Sequence, residues 1–358
     1  MINVTKTFLP PLEEYTDKLK QVWETHWVTN QGPLAEELEF KLKEYLGVKN
    51  LLLVTNGTIA LQIAIKALDL KGEIITTPYS YVATTNSILW ENCIPVFCDI
   101  ENKTFCIDSD RIEKCITEKT SAILATDVYG FPCDFEKIKT IADKYDLKVI
   151  YDGAHAFGVK VNGESIFSYG DISTISFHAT KLFHTIEGGA VITNDDKLSE
   201  KIFLYRSFGH LDDDYSTVGI NGRTSEFNAA MGLCILPRVK DFISFRREIF
   251  RLYKKYLSGT PLSYPEIPEN IDYNYSYFPV VFPSTELMLT VNKKLEENMI
   301  STRRYFYPSL NRLPFLKGNI CPVSENIAGK VLCLPLYPQL ETENIKKISE
   351  IISECFLS

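Results

Sequence analysis

The sequence predicts an α/β fold: a large, mostly parallel sheet covered by helices on both faces, followed by a smaller C-terminal α+β unit. Two observations carry this expectation. Through the first two thirds of the 358 residues, short apolar runs alternate with longer amphipathic ones. Strands separated by helices need crossover connections, which pair the strands in parallel and lay helices over the sheet. After about Leu236 the alternation stops, and Pro237 with the charged segment 245–256 (FRREIFRLYKKY) reads as a long helix entering a second unit. The expected units are therefore residues 1–240 and 241–358.

The elements follow in order. Residues 50–55 (NLLLVT) read as a buried strand, and residues 58–68 (TIALQIAIKAL) place apolar side chains at helical spacing. Residues 73–77 read as a strand, 83–90 as a helix and 94–99 as a strand. Residues 121–126 (SAILAT) form the next strand, and a helix runs from an Asp134 N-cap to Tyr145. Strands at 148–152 (KVIYD), 172–177 (ISTISF) and 189–193 (GAVIT) complete the series. In the second unit, residues 277–282 read as a strand, with helices at 286–297 and 343–356.

Composition excludes several classes. Hydrophobic residues make up 45% and charged residues 23%, as in ordinary globular chains, so disorder and collagen-like structure are excluded. The net charge of −8 argues against a nucleic-acid surface, which needs a clustered basic face. It does not exclude an anionic small substrate, which responds to the local field of its pocket. The nine cysteines are scattered without a CxxC pair, so free thiols in a reducing compartment are expected rather than disulfides or a metal site. The first residues, MINVTKTFLPPLEEY, lack the apolar core of a signal peptide, and no apolar run approaches ~20 residues. A cytoplasmic location without membrane contact is the expectation.

Ligands of open α/β sheets bind beyond the carboxyl ends of the strands. After NLLLVT comes Asn56-Gly57-Thr58 and then a helix, whose free N–H groups suit an anion such as phosphate. The plainer reading is an N-cap by Thr58. After KVIYD, Asp152 sits at the end of a central strand. A buried acid there needs a cationic or hydrogen-bonding partner, and a protonated pyridinium is one. The plainer reading is a capping Asp. After ISTISF comes Lys181, either a surface lysine or a Schiff-base amine kept neutral by desolvation. Glu187-Gly188-Gly189 allows close backbone approach near it. After residues 73–77 comes Pro78-Tyr79-Ser80-Tyr81, which offers an aromatic face to a flat ring or simply a core tyrosine. Together these supply a phosphate cradle, a pyridinium partner, a ring platform and a reactive amine along one edge.

With these motifs in this order, the chain resembles the sugar-nucleotide aminotransferases of the DegT/DnrJ/EryC1/StrS family, which share the aspartate-aminotransferase-like fold that binds pyridoxal 5'-phosphate (PLP). The resemblance begins at residues 27–46 (WVTNQGPLAEELEFKLKEYL). It runs through TNGTIAL, TPYSYVATTNSI, IPVFCDI, VYGFPCDFEKI, YDGAHAFG, SFHATK, EGGAVIT and NGRTSEFNAAMGL to VLCLPLYP. It implies that Lys181 forms the Schiff base and shuttles protons, and that Asp152 keeps the pyridine nitrogen protonated. By the same resemblance His155 lies near the ring's phenolic oxygen, Tyr81 stacks on the ring, and Gly57, Thr58 and Ser176 hold the phosphate. Asn221 matches a residue that reaches the phosphate from the neighbouring subunit, which implies a homodimer with shared sites.

The implied reaction moves an amino group from L-glutamate, released as 2-oxoglutarate, to a nucleotide-linked keto sugar by way of pyridoxamine 5'-phosphate. The SFH-x-x-K form of the lysine motif resembles relatives acting at C4 of a 4-keto-6-deoxyhexose, so dTDP-4-keto-6-deoxyglucose is the expected acceptor. A C3 ketone, a UDP-linked sugar and either product stereochemistry remain open. Arg223, Arg303 and Arg304 are candidates for the pyrophosphate and the donor carboxylate, each against a structural role. Two other classes compete. A non-catalytic sugar-nucleotide sensor need not keep Lys181, Asp152 and Ser176 together, and a nicotinamide enzyme needs a glycine-rich dinucleotide loop that is not seen.

Overall fold

The computed structural model describes residues 1–316 and 318–357. Helices α1 (Leu12–Thr25) and α2 (Pro33–Leu46) precede β1 (Asn50–Val54). There follow α3 (Gly57–Ala67), β2 (Glu73–Thr76), α4 (Val82–Trp90), β3 (Ile94–Phe97), α5 (Ser109–Cys115), β4 (Thr120–Thr126), α6 (Phe135–Tyr145) and β5 (Lys148–Asp152). A short hairpin, β6 (Lys160–Val161) and β7 (Glu164–Ser165), leads to β8 (Ile172–Ser176), β9 (Gly189–Thr193) and α7 (Asp196–Arg206). A second hairpin, β10 (His210–Leu211) and β11 (Asp214–Tyr215), precedes α8 (Glu226–Ile235) and α9 (Val239–Tyr256). The remaining elements are β12 (Ile271–Asp272), β13 (Pro279–Val281), α10 (Thr285–Glu297), α11 (Pro322–Lys330), β14 (Val331–Cys333) and α12 (Thr342–Glu354).

The central sheet has the order β1-β9-β8-β5-β4-β2-β3. Only β9 runs against the others; it pairs antiparallel with β1 and β8. Alternate residues of each strand feed two separate cores. Leu51, Leu53, Ile123, Ala125, Val149, Ile175 and Ile192 join one, with α2 and α8. Leu52, Val54, Ala122, Leu124, Ile150, Ile172 and Val191 join the other, with α3 and α7. Side chains of successive strand residues point to opposite faces, so burial on both sides explains why the strands read as continuous apolar runs.

The strands and helices expected through residue 193 are found, with ends moved by a residue or two. Asp134 caps α6 by accepting the Lys137 N–H. Two elements near the C-terminus differ. Helix α9 begins at Val239, not residue 245, because a 3-10 turn at Leu236–Arg238 runs straight into it. The strand expected at 277–282 contracts to β13, which pairs with β14 through Pro279–Val281. Cys93, Cys98, Cys106, Cys115, Cys133, Cys234, Cys321 and Cys333 are free thiols. Among the described residues no helix is long and apolar enough to cross a membrane.

The start of α2 shows how distant parts of the chain are tied. Its cap residue Gly32 contributes no side chain. Instead Glu226 of α8, 1% exposed, accepts the Leu34 N–H at 2.7 Å and the Ala35 N–H at 3.0 Å. A carboxylate there satisfies donors that the helix cannot. Glu226→Ala leaves both N–H groups buried and unpaired. It is expected to cost about 2–3 kcal/mol, read as a lower urea midpoint at unchanged slope.

Candidate active site

The register of the sheet brings the chemistry together. Val54 pairs with Gly189, and Gly189 with Ser176. Thr126 pairs with Asp152, and Asp152 with Thr174. The carboxyl ends of β1, β4, β5 and β8 and the start of β9 therefore share one edge. A cavity of about 400 Å³ lies beyond it, and Gly57, Thr58, Tyr81, Asp152, His155, Ser176 and Lys181 all line it.

At one end α3 points its N-terminus into the cavity. The N-cap is Asn56, not Thr58: its side chain accepts the Ile59 N–H at 2.9 Å. That leaves the Gly57 and Thr58 N–H groups and the Thr58 hydroxyl at the cavity wall. Gly57 is required by packing, since a Cβ there would lie 2.8 Å from the Ser176 Cβ. The glycines after Glu187 serve a related purpose, though not beside the lysine. A Cβ on Gly189 would meet the Asn56 backbone at 2.7 Å, and one on Gly188 would strike the Thr185 hydroxyl.

At the centre lies Asp152, 6% exposed. Its Oδ2 accepts the Thr84 hydroxyl at 2.7 Å and its Oδ1 the Ala154 N–H at 3.1 Å. Burial raises its pKa above the ordinary carboxylate value, against these two bonds and the nearby Lys181 amine. Among the described residues no ion pair to Asp152 is formed. Lys181 stands on the loop after β8. Burial lowers its pKa to about 8, with Asp152 and Tyr81 pulling the other way, so about a tenth is free base at pH 7 and about half at pH 8. Its Nζ lies 3.4 Å from the Tyr277 hydroxyl.

His155 is buried and kept neutral, its pKa lowered well below the usual value by burial and by Lys181. Its Nδ1 accepts the Tyr129 N–H at 3.1 Å, which leaves the proton on Nε2 as a donor. Tyr81 is 58% exposed at the mouth, where His178 and Glu187 approach to 3.5 Å.

Of the three candidate arginines only Arg303 lines the cavity. Arg304 lies over the Tyr307 ring at 3.4 Å and donates to the Ala328 carbonyl at 3.2 Å, a structural placement. Arg223 lies over Phe208 at 5.6 Å. Asn221 is exposed, bridges to Ser207, and is not among the residues lining this chain's own cavity. Sequence reasoning missed Thr84, Tyr277, Tyr305 and Phe306, which also line it. A threonine in the first turn of a helix and a tyrosine in an irregular segment leave no local mark in the sequence.

Known proteins bear on this geometry. The DegT/DnrJ/EryC1/StrS aminotransferase family matches residues 12–353. The chain belongs to that family. It is 43% identical to the dTDP-4-amino-4,6-dideoxy-D-glucose transaminase of Escherichia coli over 98% of both chains. It is 33% identical to the GDP-perosamine synthase of Escherichia coli O157:H7 over 92% of each. Among solved structures it superposes on DesI, crystallised in the presence of its TDP-sugar product, with a TM-score of 0.94 at 29% identity, covering 99% of this chain and 92% of that one. Helicobacter pylori PseC, an aminotransferase of pseudoaminic acid biosynthesis, gives 0.92 at 27% identity over 99% of both.

This chain is thus a sugar aminotransferase of the PLP fold, and the family implies pyridoxal phosphate. The residues fit that cofactor: an N–H and hydroxyl cradle at one end, a neutral imidazole donor, and a buried carboxylate that forms no ion pair among the described residues. The last feature is testable without cofactor. A carboxyl whose pKa is higher folded than unfolded costs stability above its unfolded pKa. Asp152→Asn is therefore expected to hold or raise the melting temperature of the cofactor-free protein at pH 7. A clear fall would mean that this chain already compensates the charge.

Proposed function

We propose that the chain transfers the amino group of L-glutamate to the C4 ketone of dTDP-4-keto-6-deoxyglucose, giving dTDP-4-amino-4,6-dideoxyglucose. The observation that carries this reading is the pair Asp152 and Lys181 in one cavity: a buried carboxylate of raised pKa beside an amine of lowered pKa. The name of the 43% identical relative supports the choice of sugar, C4 and nucleotide.

PLP, and its pyridoxamine form between the two half-reactions, supplies an electron sink that lets a C–H next to nitrogen ionise. The chain's residues do the rest. The Gly57 and Thr58 N–H groups and the Thr58 and Ser176 hydroxyls hold the phosphate. Asp152, aligned by Thr84, would pair with a protonated pyridine nitrogen. The His155 Nε2–H would be the donor available to a phenolic oxygen, and Tyr81 the aromatic available to a ring face. The Lys181 Nζ would hold the resting cofactor and, when free, carry the proton between the two carbons. Arg303 offers its fork to the pyrophosphate or the donor carboxylate. Asn221 serves the phosphate of the partner protomer in a homodimer with shared sites, and the enzyme acts in the cytoplasm.

Incubation with glutamate and a panel of dTDP- and UDP-linked 3- and 4-keto sugars, read by mass and NMR, is expected to yield the 4-amino dTDP product. Initial rates should show ping-pong kinetics. Lys181→Ala should abolish turnover and borohydride trapping of the cofactor at residue 181; trapping elsewhere in the parent would end this reading. Arg303→Ala should raise the KM of one substrate about tenfold or more, the loss of about one charge-assisted contact. Lys181 is a base only when neutral, so the single-turnover proton-transfer rate should rise with pH through about 8 and level off above it.

A further inference from the structure

Tyr277 lines the cavity and has no task in the roles just given. Its delivery to that wall is unusually well supported. Asn274, fully buried, donates from Nδ2 to the carbonyls of His155 at 2.9 Å and Phe157 at 3.1 Å, and its Oδ1 accepts the Ser276 N–H at 3.1 Å. The Tyr273 hydroxyl donates to the Tyr129 carbonyl at 2.9 Å. The buried Arg246 donates from Nη1 to the Ser276 carbonyl at 3.0 Å and the Leu336 carbonyl at 3.3 Å. Burying an arginine and an asparagine costs desolvation, and apolar side chains would close a wall without it. What these bonds achieve is registration. They bolt the segment before β13 to the loop that follows Asp152, and rest the Tyr277 ring on His155 with centroids 4.8 Å apart. The phenol then stands 3.4 Å from the Lys181 Nζ.

We infer that Tyr277 is a positioning residue for Lys181: its hydroxyl holds the lysine amine, whenever that amine is free, in the direction needed to exchange protons. The inference rests on the aminotransfer reading. A phenol suits this task because it both donates and accepts, so it bonds the amine as neutral base and as ammonium. Burial raises its own pKa, so it keeps its proton and adds no charge. A carboxylate at this place would pull a proton onto the lysine and spoil the base. An alkyl group would leave the long lysine chain free to rotate, with the loss that misdirected reacting groups incur.

The test is the holoenzyme of Tyr277→Phe, which removes one oxygen. The glutamate half-reaction is followed by stopped-flow absorbance with α-protiated and α-deuterated L-glutamate. The single-turnover rate should fall about ten- to a hundredfold, while the KM of each substrate changes by less than about twofold and the primary isotope effect rises. A purely structural role would not raise the isotope effect. Asn274→Ala, which loosens the mount and keeps the hydroxyl, should shift the isotope effect the same way if the phenylalanine variant binds cofactor poorly. Parent-like rate and isotope effect in Tyr277→Phe, or a slower rate with an unchanged isotope effect, overturns the inference. A parent enzyme with no glutamate half-reaction would instead overturn the aminotransfer reading.

Discussion

The carboxyl group of Asp152 is taken out of water at the end of a central strand, bonded to two neutral donors, with an amine of lowered pKa as its nearest counter-charge. Such a group is costly alone. Much of the cavity follows from that constraint. A cationic ring nitrogen would offset that desolvation, so the same feature that strains the empty chain would favour a protonated ring. Lys181 is subject to the same burial in the opposite sense. Desolvation lowers its pKa to about 8, which makes the neutral amine accessible near physiological pH. One apolar, enclosed edge thus prepares an acid-favouring and a base-favouring group side by side.

Enclosure needs chain from far away in sequence. The edge of the sheet supplies the floor, and Tyr277 with Arg303, Tyr305 and Phe306 supplies the opposite wall. The 303–306 segment is bridged backbone to backbone with Cys333 of β14, and both wall segments are further fixed by buried polar bonds. The Tyr305 carbonyl accepts the hydroxyls of Tyr79 and Tyr129, and Asn274 and Arg246 hold the other segment. Buried hydrogen bonds of this kind specify one geometry more sharply than apolar packing does. Arg303, Tyr305 and Phe306 are thereby carried to the cavity on a backbone that the floor itself grips.

This division explains what the sequence makes legible. The floor is readable because each of its functional residues follows a strand, and each strand buries both faces and so announces itself as an apolar run. Gly57, Asp152, Ser176 and Lys181 are found by asking what comes next in the chain. The walls follow no such rule. Thr84 matters only because α4 brings it under Asp152. Tyr277 looked like strand and proved to be mount and wall. Arg303 and Arg304 are adjacent in sequence, and only the fold tells that one faces the cavity while the other caps carbonyls of α11. The start of α2 is capped from α8 by Glu226, a partnership 192 residues long that no local signal predicts.

The same contrast bears on how an acidic protein binds an anionic nucleotide sugar. Net charge acts at a distance and is screened within about a Debye length, whereas a ligand inside the cavity meets only the groups that line it. There the count is different. Lys181 and Asp152 act on each other's charge. Glu187 is drawn toward His178 at the mouth. Arg303 is the guanidinium that faces the cavity, and α3 adds the partial positive charge of its N-terminus at the far end. The α3 terminus and Arg303 are then two positive features, besides Lys181, that an anionic ligand would meet in the cavity. A nucleotide-linked ketose carries its charge at one end and its ketone at the other, so a guanidinium that holds the charged end would leave the ketone free to reach the Lys181 amine, and discrimination among nucleotide sugars would then fall to the groups around Arg303.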